Sequence, residues 1–208
     1  MKQSKYFKNL VVCNVLLYLF TNRHNQSTQK METAKTEAKK FILNYGVLLG
    51  ILSILLGVIT YVTNAHLEPS LITTIVSFAV LIVVIILGIK AFKSENAGYL
   101  TLGESLKIGV GIALIGSIFS AIWMLILMNF LEPAYMAQMA EIQREAMIEA
   151  NPTMTDQQIN AGMEMAAKFS SPWISIAFII VGGMFMGLII SLIAGLVMKK
   201  ENPYTAQG

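Results

Sequence analysis

The chain has 208 residues, of which 55% are hydrophobic and only 13% charged, about half the charged share of an ordinary soluble domain. Five of its fifteen basic residues, Lys2, Lys5, Lys8, Arg23 and Lys30, stand in the first thirty positions with no acid among them, and from Met31 onward ten basic side chains meet twelve acidic ones. The main body therefore has no positive excess to suit nucleic acid, and with Cys13 as its only cysteine the chain has neither an internal disulfide nor a cysteine metal cluster.

Residues 1–9 are basic and Leu10–Phe20 is a short apolar run, the first two regions of a signal peptide. Thr21–Lys30 supplies no small-residue cleavage site, and eleven apolar residues are too few to span, since a helix needs about 20. Cleaved export would also put Lys35, Lys39 and Lys40 outside. Residues 1–30 therefore read as an extension that is not part of the fold, with translation starting at Met31. A basic interfacial helix is the alternative.

Four spans follow, at about 41–63, 71–92, 108–131 and 173–198, each of membrane-crossing length. The second is rich in Ile and Val, but an unpaired strand cannot cross lipid, so it too reads as a helix. The predicted fold is thus an all-α integral membrane domain over 31–200 with four transmembrane helices. An outer segment, 132–172, forms an extracytoplasmic helical hairpin between the third and fourth, and 201–208 is a short tail.

Lys and Arg in the connections set the direction. From Met31, eight fall at one end (Lys35, Lys39, Lys40, Lys90, Lys93, Lys107, Lys199, Lys200), and only Arg144 and Lys168 fall at the other, against six acids. Both termini are expected in the cytoplasm. Trp123, Phe130, Tyr135, Phe169 and Trp173 gather towards the outer boundary, as interfacial aromatics do.

Small residues recur along three spans: Gly46, Gly50, Ser53 and Gly57 in the first; Gly109, Ala113, Ser117 and Ala121 in the third; Gly183, Gly187, Ser191 and Gly195 in the fourth. Four-residue spacing lines them on one helix face, where two backbones approach closely, within one chain or between chains of a homo-oligomer. The third and fourth rows are each about 18 Å long. Span two has no such row. Spans one, three and four are expected to form the centre, with span two outermost.

In the outer segment, Tyr135, Met136, Met139, Ile142, Ala146 and Met147 share a helical face, with Gln138, Glu141, Glu145 and Glu149 opposite. Asn151-Pro152 breaks that helix. Thr155-Asp-Gln-Gln158 is a capping-box pattern for a second helix, with Ile159, Met163, Ala166 and Phe169 on its apolar face. Pro172 suits the first turn of span four.

The run Gly98-Tyr-Leu-Thr-Leu-Gly-Glu-Ser-Leu-Lys107, the Gly-rich third span, Leu131-Glu-Pro-Ala-Tyr135, Thr153-Met-Thr-Asp-Gln-Gln-Ile159 and the Lys199-Lys200 end together resemble a family of small bacterial four-span membrane proteins, the domain of unknown function numbered 4199. The resemblance covers about residues 33–200. It implies the fold and a membrane location, and carries no activity.

Candidate chemistry is sparse. No charged side chain lies near the middle of a span. Glu104 and Lys107, three apart at the cytoplasmic edge, read as an ion pair at a helix start. Asn44 and Asn129, near opposite faces, are expected to bond backbone or water. His66 stands in an outer turn near Glu68, and two such ligands do not complete a tetrahedral metal site. It reads as a surface histidine. Six methionines lie in the outer segment, including Met136, Met139, Met163 and Met165. Thioethers favour Cu(I), but these read as flexible apolar filling, so neither cofactor nor metal is expected. No Ser–His–acid pattern or phosphate loop appears, so the chain reads as no enzyme. A non-catalytic scaffold or accessory subunit, partnered by the lipid bilayer and a membrane protein, is the expectation. The alternative is a small oligomeric channel or carrier, which needs a wet seam such as the hydroxyls of Ser53, Ser117, Ser120 and Ser191 would line.

Overall fold

The computed structural model describes residues 38–67 and 70–200. The extension 1–30, Glu68 and the tail 201–208 lie outside the described residues. Packing divides the chain into a unit of residues 1–40 and a unit of residues 41–208, and the contacts below are all within the second.

Among the described residues six helices follow in order: α1 (Ala38–Val62), α2 (Leu71–Glu95), α3 (Leu102–Ile126), α4 (Tyr135–Ala150), α5 (Asp156–Phe169) and α6 (Pro172–Met198). α1, α2, α6 and α3 with its last turn (Leu102–Leu131) are long and apolar enough to cross a membrane. Their starts are written in the sequence. Ser70, Thr101, Thr155 and Ser171 each cap a helix by accepting a backbone N–H, satisfying donors that the first turn leaves open. The Thr155–Gln158 capping box is formed, and Pro172 occupies the first turn of α6.

The third spanning helix begins at Leu102, six residues before the apolar run does. Thr101 accepts from the Glu104 N–H, and the Glu104 carboxylate accepts from the Thr101 N–H at 2.8 Å and from its hydroxyl at 2.9 Å. Polarity hid this turn from a hydropathy reading. At its other end α3 widens into a π turn over Leu127–Leu131, where the Glu132 N–H reaches the Leu127 carbonyl at 2.7 Å. Thirty helical residues measure about 45 Å, more than the ~30 Å of hydrocarbon, so both polar ends clear the apolar layer.

α3 is the centre of the bundle, and it packs far more extensively on α6 than on α2. The small-residue rows meet in antiparallel register. A Cβ built on Gly109 would strike Ser191, one on Gly187 would strike Ala113, one on Gly183 would come within 2.9 Å of Ser117, and one on Gly195 within 2.9 Å of Ser105. Four successive turns thus interlock with no room for a larger residue, and Ala121 continues the row as a buried residue. Inside this seam the Ser105 hydroxyl donates to the Ser191 carbonyl at 2.8 Å. α1 packs differently. Its Gly46, Gly50 and Gly57 receive the large side chains Ile115, Phe119 and Trp123 of α3, each at the site where a Cβ would stand.

α2 is not peripheral. Ile85 and Ile89 are wholly buried and Phe92 nearly so, with Gly88 receiving Ile112 of α3. Phe92 also meets the edge of the Phe41 ring. α6, by contrast, buries only its edge of Gly187, Ser191, Ala194 and Gly195. The expectation that α2 lies outermost fails because α2 packs through Ile85, Ile89, Phe92 and a single glycine, Gly88, and so shows no row of small residues.

At the end bearing Lys93 and Lys200 the chain is tied shut. Leu100 and Lys200 exchange two backbone bonds of 2.9 Å, and the Lys93 ammonium donates to the Met198 carbonyl at 2.7 Å, where the α6 dipole is negative. Gly98, at φ +79°, turns the chain back to make this contact. At the opposite end α4 and α5 pair, with the Met147 sulfur 3.1 Å from the Cβ site of Gly162 and Ile159 buried.

A cavity closed by a histidine–glutamate pair

The α3–α6 seam is tight, yet its members Ala113, Ser117 and Gly183 border an opening among the four spanning helices. A cavity of about 400 Å³ lies there, walled by α1, α2, α3 and α6 and reaching from Ala113, Ser117 and Gly183 at mid-bundle to His66 and Tyr135 at the far end. Its wall is mostly apolar, with hydroxyls from Ser53, Thr60, Ser77, Ser117 and Ser120. Each hydroxyl donates to a carbonyl of its own helix, 2.8–3.2 Å away. Their hydrogens are used, so they offer the cavity oxygen lone pairs. A second, more open hollow of about 320 Å³ lies beside it, and Thr60, His66 and Ser77 line both.

His66 forms the end wall. Asn64, at φ 57°, turns the chain after α1 so that the ring folds back over the helix end. The His66 Nδ1 lies 3.4 Å from the Thr60 carbonyl, and Nε2 lies 2.5 Å from Glu132 Oε2. The side chains are only 7% and 19% exposed. The ring also packs on Tyr135, with centroids 6.1 Å apart and planes 19° from parallel, and on Tyr61 at 5.2 Å. The partner of His66 is thus Glu132, sixty-six residues away. The expectation of a surface histidine is overturned, because the π turn swings Glu132 towards α1 and withdraws both groups from solvent. Burial, and secondarily the neighbouring Glu132 carboxylate, push the Tyr135 phenol above its ordinary value of 10.0.

The other sequence candidates lie elsewhere. The Glu104 carboxylate is spent on the Thr101 cap, and this cap replaces the expected pairing with Lys107. Ser53, Ser117 and Ser120 reach the cavity, but Ser191 is sealed in the α3–α6 seam. Asn129 donates to the Leu125 carbonyl at 2.8 Å. Met163 is half-buried whereas Met165 is 64% exposed, since residues two apart on a helix diverge. Gln138, placed on the outward face by its polarity, turns its Oε1 inward, where it is buried without a hydrogen-bond partner. Glu132, Tyr61 and Ser77 were missed as site residues. Glu132-Pro133 reads in sequence only as a helix stop, and an acid just past a span was the one signal on offer.

Residues 44–200 match the family model described as a protein of unknown function, DUF4199. The chain belongs to the DUF4199 family. The match takes in the seam, the cavity and the His66–Glu132 pair of this DUF4199 chain, and assigns none of them a role. Neither the curated proteins nor the solved structures contain a match to it.

Proposed function

We propose that this DUF4199 protein binds a small amphipathic molecule within the bundle and acts as a carrier, without catalysis. The observation that carries this is the cavity. At about 400 Å³, apolar with a few fixed polar atoms and a polar group at one end, it has the size and make-up of a small-ligand site. His66 stands between this cavity and the neighbouring hollow, where a passage would be controlled. Both termini are placed in the cytoplasm in this reading, and the distribution of lysines supports it. Lys90, Lys93, Lys107, Lys199 and Lys200 lie at the end tied by the Leu100–Lys200 bridge. The α4–α5 hairpin and the His66–Glu132 pair then face outward.

A second reading, a scaffold or accessory subunit, draws on α5, which leaves Met165 and Phe169 more than 60% exposed. One experiment separates the two: mild extraction from the native membrane, then mass spectrometry of the intact complex. A bound small molecule that is lost in the cavity-filling variant Ser53→Phe supports the carrier. A stoichiometric protein partner, with no small molecule in either form, supports the scaffold and overturns the carrier.

A further inference from the structure

We propose that the ligand is a lipophilic molecule that donates a hydrogen bond, an alcohol being the simplest, and that Ser53, Ser117 and Ser120 receive its hydrogen; this deepens the carrier reading and rests on it. The three oxygens come together at one level of the bundle. Gly50 seats Phe119 and Gly57 seats Trp123, so Ser53 and Ser120, each lying between those contacts on its own helix, stand at the same height. Ser117 is three residues further back on α3, about 4.5 Å along the axis. All three line the cavity.

Their hydrogen-bond valence sets the head group. A hydroxyl has one hydrogen and two lone pairs. Ser53 gives its hydrogen to the Leu49 carbonyl at 2.9 Å, Ser117 to Leu114 at 2.9 Å and Ser120 to Gly116 at 3.2 Å. What each has left for the cavity is lone pairs. To donate to a ligand, a serine must first give up the bond to its own helix. A ketone, ester or ether buried here sheds its water and finds no hydrogen at this level, which costs free energy in an apolar space. A hydroxyl or N–H finds three acceptors on two helices.

Among the described residues that line the cavity, the other hydrogens are engaged or lie at its far end. The Trp123 indole nitrogen is packed against Gly57, both His66 ring nitrogens have partners in Thr60 and Glu132, and the Tyr135 phenol stands at the His66 end. The hydroxyls of Thr60 and Ser77 are spent on their own helices in the same way. Leu49, Leu56, Leu81, Met124 and Ile179 keep the rest of the wall apolar, which accommodates a hydrocarbon tail.

The probe is ω-bromooctanol, and its methyl ether is the match that accepts a hydrogen bond but has none to donate. The full-length Trp173→Phe protein in lipid nanodiscs leaves Trp123, in the cavity wall, as the sole indole for the bromine to quench. Both probes are titrated by mole fraction in the lipid, so that partitioning drops out. Saturable quenching by bromooctanol is expected, about tenfold tighter than by the ether, as one net hydrogen bond gives. The triple variant Ser53→Ala, Ser117→Ala, Ser120→Ala should bring the two probes to within about twofold. Ser53→Ala alone, outside the α3–α6 seam, should narrow the gap in the same direction. Thr63→Ala should keep it, because that hydroxyl also bonds its own helix but does not line the cavity. Equal binding of the two probes, or a preference that survives the triple substitution, overturns the donor assignment and leaves the cavity reading standing. No saturable quenching by either probe overturns both.

Discussion

Glu132 shows how far a residue's role depends on its neighbours. In sequence it is an acid before a proline; in the fold it pairs with His66, which lines the cavity, and crowds the phenol of Tyr135. The Tyr135 proton is held more tightly in the folded chain than in the unfolded one, because burial and Glu132 both oppose the phenolate. The sign of the linkage follows. Stability from this group is whole below pH 10.0 and is lost as pH rises through the raised value. Thermal stability of the wild type should therefore fall more steeply above about pH 10 than that of Tyr135→Phe, which has no phenol to ionise. Parallel curves would mean that the fold does not hold that proton.

At the scale of elements, the α3–α6 seam and the α1–α3 contact are two solutions to the same problem. Lipid gives spanning helices no hydrophobic reason to associate, so van der Waals fit must supply it. The seam achieves fit by removing side chains from both helices, and the α1–α3 contact by seating large knobs on glycines. Both contacts border the cavity, the seam through Ala113, Ser117 and Gly183 and the α1–α3 contact through Gly57 and Trp123. Gly187→Ile, which drives a side chain into Ala113, should destabilise the detergent-solubilised protein by about 1–3 kcal/mol or more. Val83→Phe, on a side chain already 53% exposed, should stay within about 0.5 kcal/mol. Thermal denaturation of the two variants makes the comparison, and equal losses would refute the seam as the stabilising contact.

On the scale of the whole molecule, polar chemistry is divided between the two ends. One end is lysine-rich and locked by backbone and ammonium bonds to the α6 terminus. The other is acidic and aromatic, carries the α4–α5 pair and opens to the cavity. The proposed cytoplasmic placement of the lysine end predicts a labelling pattern. With Cys13 replaced by serine, a membrane-impermeant maleimide should label Thr153→Cys in intact cells, and Ser94→Cys only after permeabilisation. The reverse pattern would invert the topology and put the His66–Glu132 pair on the cytoplasmic face.

The sequence by itself determined the four spanning helices, most of their boundaries, the capping boxes and the small-residue rows. These rest on local composition and on periodicities of three to four residues, which any reader of the chain can count. It also held the Thr101–Glu104 box, masked by an apolar run that starts later. Only the tertiary structure decided which rows meet, that α2 contributes a buried face, and that Glu132 reaches across to His66. Those outcomes depend on knob shape and on a π turn, and both are set by pairs of residues tens of positions apart. The cavity belongs to this second class, because α1, α2, α3 and α6 all wall it, and no single segment encodes it.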